Sequence, residues 1–255
     1  MKSVQAKTNL LGKVAKGDIP VGVFISSLDA ASTDIFSAAG YDYVILDGEH
    51  GRMSRIEVEN HVRAALLHGT IPFVRILENS QPLIQSMLDV GAQGLFVPHV
   101  DTAEDARRAV EATRYSPNGK RGMCPACFAG SYSMATWADL TRAADENIMV
   151  IPIIESKKAV DNIEAILAVD GIDVVNFGPG DLSADMGIDL NKNPEKLVAQ
   201  WQKVLKACRD AGKYVLAPRG FGYDEADIIM VEMDFMILRR VAGEILADLK
   251  KPKAA

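Results

Sequence analysis

The segment YDYVILDGEHGR, residues 41–52, runs an aliphatic stretch straight into Asp47, Glu49 and His50. Burying an unpaired charge costs several kcal/mol, so acids this close to a core need partners or a chemical task. A histidine beside an acid is a candidate general base, with Asp47 fixing the tautomer of His50 and raising its basicity. The alternative is a structural role, the commoner fate of a single histidine.

Other apolar runs end the same way. Arg75 lies in PFVRIL, where a guanidinium needs an anion: a substrate oxyanion, or a carboxylate such as Asp89 or Glu49. Glu155 closes MVIPIIE, and Asp181 follows VVNFGPG. Two carboxylates from separate segments suit a hard divalent cation whose other positions are filled by water and substrate. They also suit the starts of helices, with Ser156 as a cap, because the macrodipole favours acids there. Gly178, Pro179 and Gly180 form a turn in which backbone N–H groups can approach an anion such as a substrate carboxylate. His99 ends GLFVPH and is a candidate for the same site, whereas His61 and His68 fall in a helical pattern and read as packing or surface residues.

The elements that must position these groups alternate. Eight short β-branched runs read as strands: 21–26, 43–48, 72–77, 94–100, 149–155, 174–180, 213–218 and FMIL at 235–238. Continuous apolar runs belong to parallel strands covered on both faces. Helical patterns separate them, among them SRIEVENHVRAALLHG and NPEKLVAQWQKVLKACRDAG, several ending in a glycine suited to a left-handed cap. Repeated strand-then-helix units without a long linker predict one (β/α)₈ TIM barrel over 1–255, with 250–255 a frayed tail. A doubly wound open sheet is the runner-up. In such a barrel the working residues gather at the C-terminal ends of the strands, so Asp47, His50, Arg75, Glu155 and Asp181 are expected at one mouth. RYSPNGKRGMCPACFAGSYSM, 114–134, reads as a long connection holding a short strand and a mobile lid.

Composition narrows the function. The chain has 255 residues, 48% of them hydrophobic, and a net charge of −6, which argues against a nucleic-acid surface. No apolar run approaches the roughly 18 residues of a membrane span, and the start lacks a signal-peptide core, so a cytoplasmic protein without a membrane partner is expected. Cys124 and Cys127 stand in CPAC with no further ligand cluster nearby, which makes a zinc site a weak reading.

Five segments in order, YDYVILDGEHG, FVRIL, MLDVGAQGLFVPHV with AEDARRAVEATRYSPNGKRG, IIES and FGPGDLSADMG, are similar to the HpcH/HpaI family of class II, metal-dependent pyruvate aldolases. The likeness spans about residues 20–190. It implies an aldolase of the 4-hydroxy-2-oxoheptanedioate or 2-keto-3-deoxy sugar acid type, cleaving a 4-hydroxy-2-oxo acid to pyruvate and an aldehyde through an enolate stabilised by Mg²⁺, Mn²⁺ or Co²⁺. By that resemblance Glu155 and Asp181 hold the metal, Arg75 faces the keto oxygen, and His50 with Asp47 transfers the proton. Asp89 reaches the site of a neighbouring subunit, in a homohexamer whose C-terminal helix is exchanged. Rival readings are decarboxylation of an oxaloacetate-like substrate, as in the macrophomate synthase relatives, and a non-catalytic barrel that binds an organic anion.

The chain departs from the family pattern in three places. Ile153 stands where a Gln often precedes the metal Glu by two residues, and the 121–137 segment is not the small polar stretch expected. Arg219 after KYVLAP, and Arg239 and Arg240 after FMIL, have no family counterpart. They are expected at strand ends, either gripping a distal carboxylate or phosphate of the acceptor or paired with Asp224, Glu225 or Asp234.

Overall fold

The computed structural model describes residues 5–134, 136–189, 192–220 and 222–250. The tail expected at 250–255 lies outside these residues apart from Lys250. Eight parallel strands close into a barrel in chain order: β1 (Val21–Ile25), β2 (Tyr43–Asp47), β3 (Ile71–Arg75), β4 (Gly94–Val97), β5 (Met149–Ile154), β6 (Val174–Phe177), β7 (Tyr214–Pro218) and β8 (Ile228–Met233). Around and between them lie α1 (Ala6–Val14), α2 (Ala31–Ala38), α3 (Arg55–His68), α4 (Gln81–Asp89), α5 (Ala103–Thr113), α6 (Trp137–Asn147), α7 (Lys157–Asp161), α8 (Ile163–Leu167), α9 (Pro179–Asp185), α10 (Glu195–Asp210) and α11 (Asp234–Leu249).

The runs are apolar throughout because both strand faces are covered. Tyr43, Ile45, Phe73, Phe96, Ile151, Ile153, Val174 and Leu216 fill the barrel interior, while Val44, Leu46, Val74, Val175 and Phe177 pack towards the helices. Gly22 is small for a reason: a Cβ there would sit 2.1 Å from the Tyr43 ring, which crosses the interior to donate its hydroxyl to Ile229 O at 2.7 Å. Ala6 and Leu10 of α1, an element the sequence pattern does not announce, join the same interior cluster and plug the N-terminal end of the barrel. Helix ends follow the expected punctuation, as in α3, where Ser54 and Glu57 form a capping box and Gly69 ends the helix at φ 77°.

Two expectations are corrected. The last strand is Ile228–Met233, and FMIL opens α11 instead. Asp234, 6% exposed, accepts N–H bonds from Ser26 (3.1 Å) and Ser27 (3.0 Å) at the end of β1, which fixes the point where strand gives way to helix. The apolar residues that follow are a helical stripe: Phe235, Met236, Leu238, Val241, Ile245, Leu246 and Leu249 are all exposed in the single chain. Arg239 and Arg240 are therefore helix residues, six and seven positions past the end of β8, and Arg240 pairs back with Glu232 of that strand (3.3 Å) and with Glu244 (3.1 Å). Arg219 does follow β7.

The second correction concerns residues 114–134, which contain no strand among the described residues. They are also no lid over their own barrel mouth. Phe128 packs against Gly91 and Ala129 N donates to Asp89 O, at the turn that leads into the N-terminal end of β4. No helix among the described residues is long and apolar enough to cross a membrane.

Candidate active site

The C-terminal end of β2 meets the C-terminal end of β3 in direct register, Asp47 opposite Arg75. Adjacent parallel strands point paired residues to the same side, so both side chains enter the barrel mouth. Arg75 binds Asp47 bidentately, Nε to Oδ1 at 3.0 Å and an Nη to Oδ2 at 2.8 Å. Its other Nη lies 3.3 Å from Glu49 Oε2, and the guanidinium stacks 4.7 Å above the Phe24 ring. The Asp47 side chain is fully buried and that of Arg75 12% exposed, so the pair is desolvated and fixed in direction.

The glycines of DGEHG let the backbone turn sharply over this pair. Gly48 N donates to Arg75 O at 2.9 Å, and a Cβ on Gly51 would lie 2.0 Å from Asp47 O. The turn is locked from inside, because Asp47 Oδ1 also accepts the N–H groups of Glu49 (3.1 Å) and His50 (3.2 Å).

That geometry corrects the expected dyad. Asp47 touches His50 through its backbone N–H, not its imidazole, because both carboxylate oxygens already serve Arg75. The His50 side chain is 61% exposed, with Nε2 4.0 Å from Glu49 Oε2. His50 thus stands at the rim beside Glu49, while Asp47 is the anchor of Arg75.

Across the mouth, Glu155 follows β5 and precedes Ser156, whose hydroxyl accepts from Ala159 N and caps α7. Glu155 therefore does not serve as the acid of that helix. Its buried carboxylate turns inward, Oε1 accepting His99 N–H at 2.7 Å with His99 Nδ1 at 3.4 Å. His99 holds φ at 54°, uncommon for a residue with a side chain, and this directs its N–H at the acid. Burial pushes the Glu155 carboxyl above the usual range; the His99 N–H and imidazole oppose this, and the nearby acids Glu49 and Asp181 raise it further. Asp181 occupies the first turn of α9 after Gly178, Pro179 and Gly180, and is exposed with no hydrogen bond or ion pair among the described residues.

These residues fit a divalent cation. Glu155 keeps Oε2 free of hydrogen bonds, Asp181 is unpaired, and the mutual repulsion of the acids is what a hard cation relieves. No group of three or more His, Cys, Asp or Glu residues that could hold a metal ion occurs among the described residues. Cys124 and Cys127 form no such site; Cys127 Sγ donates to Cys124 O at 3.1 Å.

Asp89 does not join the site. It ends α4 at the opposite end of the barrel wall, paired with the buried Arg121 at 2.9 Å, and Arg121 in turn lies over Tyr115. His61 is fully buried, its Nδ1 2.7 Å from Thr33 Oγ1, and His68 pairs with Asp34 at the surface. Sequence reasoning offered Glu49 as a partner of Arg75 but missed Asp47 as its bidentate partner, the Phe24 ring beneath it, and Asn176. The only available signal for Asn176 was one amide inside an otherwise apolar strand, VVNF.

The profile of the HpcH/HpaI aldolase/citrate lyase family matches residues 20–234. The 2-keto-3-deoxy-L-rhamnonate aldolase of Escherichia coli (strain K12) is 36% identical over 204 residues, covering 79% of this chain and 75% of the relative. An HpcH/HpaI aldolase/citrate lyase family protein from Burkholderia cenocepacia J2315 superposes with a TM-score of 0.88 at 30% identity, covering 96% of this chain and all of that one. Macrophomate synthase superposes with a TM-score of 0.86 at 26% identity, over 98% of this chain and 91% of that one. The profile match across the barrel, with named aldolases among the relatives, places this lyase in the HpcH/HpaI aldolase/citrate lyase family.

Proposed function

We propose that the chain reversibly cleaves a 4-hydroxy-2-oxo acid, of the sugar-acid kind named for its relatives, into pyruvate and an aldehyde. The observation that carries this reading is the pairing of two carboxylates, the buried Glu155 and the unpaired Asp181, with an arginine held rigid across the same mouth. Glu155 and Asp181 hold a divalent cation, for which Mg²⁺, Mn²⁺ and Co²⁺ are the candidates. The cation supplies Lewis acidity that stabilises charge on an oxygen of the 2-oxo acid.

The chain's own groups do the rest. Arg75 needs no reorientation at the moment of reaction, because Asp47 already holds it, and its guanidinium offsets the negative charge that grows as C3–C4 breaks. The first-turn N–H groups of Gly180 and Asp181, behind Pro179, receive the substrate carboxylate. His50 at the rim takes the C4 hydroxyl proton, through water, and returns it in the reverse direction. Arg219, exposed at the end of β7, meets any distal anionic group of the acceptor.

The assembly belongs to the same reading. The exposed apolar stripe of α11 is covered in a homo-oligomer, a hexamer with this helix exchanged, and Asp89 at the far end of one barrel then faces the mouth of the next.

The test is exchange of the C3 protons of pyruvate with D₂O, followed by NMR with Mn²⁺ or Mg²⁺ and again after EDTA. Metal-dependent exchange is expected, and exchange unaffected by chelation rejects the reading. Similarity to macrophomate synthase keeps one alternative, loss of CO₂ from an oxaloacetate-like substrate. That reaction moves no hydroxyl proton, so CO₂ release that survives replacement of His50 selects it.

A further inference from the structure

Directly below the two carboxylates, one polar side chain sits inside the barrel with nothing to bind. Asn176 lies on β6, where Val174 faces the interior while Val175 and Phe177 face the helices, so alternation turns Asn176 inward. It pairs in register with Ile153 on one side and Leu216 on the other, both interior residues. Asn176 is 3% exposed, its Oδ1 is buried without a partner, and neither end of the carboxamide makes a hydrogen bond among the described residues. Leaving a buried amide unmatched costs roughly 1–3 kcal/mol, and an apolar residue of the same shape would avoid the cost. A strand otherwise reading Val-Val-Phe keeps the amide here.

Glu155 is drawn in close above it. Gly178, just past the end of β6, has no side chain; a Cβ there would lie 2.9 Å from Ile153 Cγ2, 2.9 Å from Glu155 Cβ and 3.6 Å from Glu155 Oε2. The missing side chain thus lets Glu155 seat against the end of β6, two residues past the carboxamide of Asn176. A ligand held at Glu155 and Asp181 thus has one uncharged donor group beneath it, opposite the Arg75 side.

We propose that Asn176 contacts the substrate, its Nδ2 donating to an oxygen of the 2-oxo acid held at Glu155 and Asp181. The amide's two ends interchange by rotation about χ2, so the donor end can face the Glu155 side. This inference rests on the aldolase reading and assigns a binding residue within it.

The experiment compares the full-length wild type with Asn176→Leu, a near-isosteric apolar replacement. Three quantities are measured: thermal stability without ligand, Mn²⁺ affinity alone, and pyruvate affinity in saturating Mn²⁺. The expected result is unchanged or higher stability, unchanged Mn²⁺ binding and pyruvate affinity weakened about 10- to 100-fold, the scale of a hydrogen bond to a charged partner. Asn176→Ala, which removes the amide without adding bulk, should show the same loss of pyruvate with metal binding intact.

A structural amide satisfied by an internal water behaves in the opposite way. Both variants would then lose stability while pyruvate affinity stayed at the wild-type value, and the proposal would be overturned. A wild type that binds no pyruvate with Mn²⁺ present defeats the aldolase reading itself, whereas equal pyruvate affinity in wild type and variants defeats only the assignment of Asn176.

Discussion

The two sides of the barrel mouth are built on opposite principles. On the β2–β3 side the charges answer one another: Asp47 takes both ends of Arg75, Glu49 stands 3.3 Å from its free Nη, and Phe24 covers the guanidinium face. On the β5–β6 side Glu155 has one oxygen bonded to His99 N, while Asp181 and Asn176 have no partner among the described residues. The first side fixes its arginine during folding, so the guanidinium is in place before substrate arrives. The second is completed only by what binds, and the folded chain carries the cost of two buried, under-satisfied groups, Glu155 and Asn176, until then. Anchoring and binding are thereby separated, and mutations on the two sides should fail differently.

The largest effect is expected on the open side. Glu155→Gln should abolish Mn²⁺ binding and lower turnover by about 10⁴-fold, since Lewis-acid stabilisation is worth several kcal/mol at 1.36 kcal/mol per decade. Folding should survive, because the substitution removes an acid that burial already penalises. Steady-state kinetics with a metal titration checks this, and retention of a tenth of the activity would show that Glu155 holds no metal.

The closed side should break in the fold instead. Arg75→Met leaves the fully buried Asp47 carboxylate uncompensated and should cost roughly 3–5 kcal/mol in urea unfolding. Adding Asp47→Asn should recover most of that stability and none of the activity. A single variant as stable as the wild type would mean the pair is not what sets this side.

His50 lies between the two cases. Its imidazole is 61% exposed and no carboxylate orients it within hydrogen-bond distance, so His50→Ala should lower aldol cleavage by about 10²-fold, the low end for a general base. Pyruvate and Mn²⁺ affinities should stay at wild-type values. A loss of binding without a loss in the rate per bound substrate would make the histidine structural.

The smallest expected effect is the pH dependence of the metal-free chain. The folded-state pKa of Glu155 is raised, so the folded chain binds more protons than the unfolded one in the window from the ordinary carboxylate value up to that raised value. Stability should therefore fall as pH rises through this window, and Glu155→Gln or added Mn²⁺ should flatten the slope. Thermal melts across acidic to neutral pH read it directly, and a wild-type slope equal to that of Glu155→Gln removes the group from the account.

The barrel itself was largely legible, because strands covered on both faces must be apolar along their length and VGVFI, YVILD, IPFVR, GLFV and MVIPII are. The last unit was not. Both IIMVEM and FMIL are short apolar runs, and only the hydrogen bonds of Asp234 to Ser26 and Ser27 decide where strand ends and helix begins. Residues 114–134 misled for a related reason. Glycine and proline announce a loop but carry no record of which end of the barrel it covers, and this loop lies beneath β4, far from its own mouth.

The sequence alone determined which residue types stand at strand ends, since the period of two and the strand-helix alternation place Asp47, Arg75, Glu155 and Asp181 there whatever the packing. Tertiary structure decided who pairs with whom. Asp47 is three residues from His50 but 28 from Arg75, and strand register gave its carboxylate to the distant partner. Asp89 is nearer in sequence to Arg75 than Asp47 is, yet the run of α4 carries it to the other end of the wall. Ionic partners are chosen by distance and desolvation in three dimensions, and those are fixed only when β2 meets β3 and the water between them is gone.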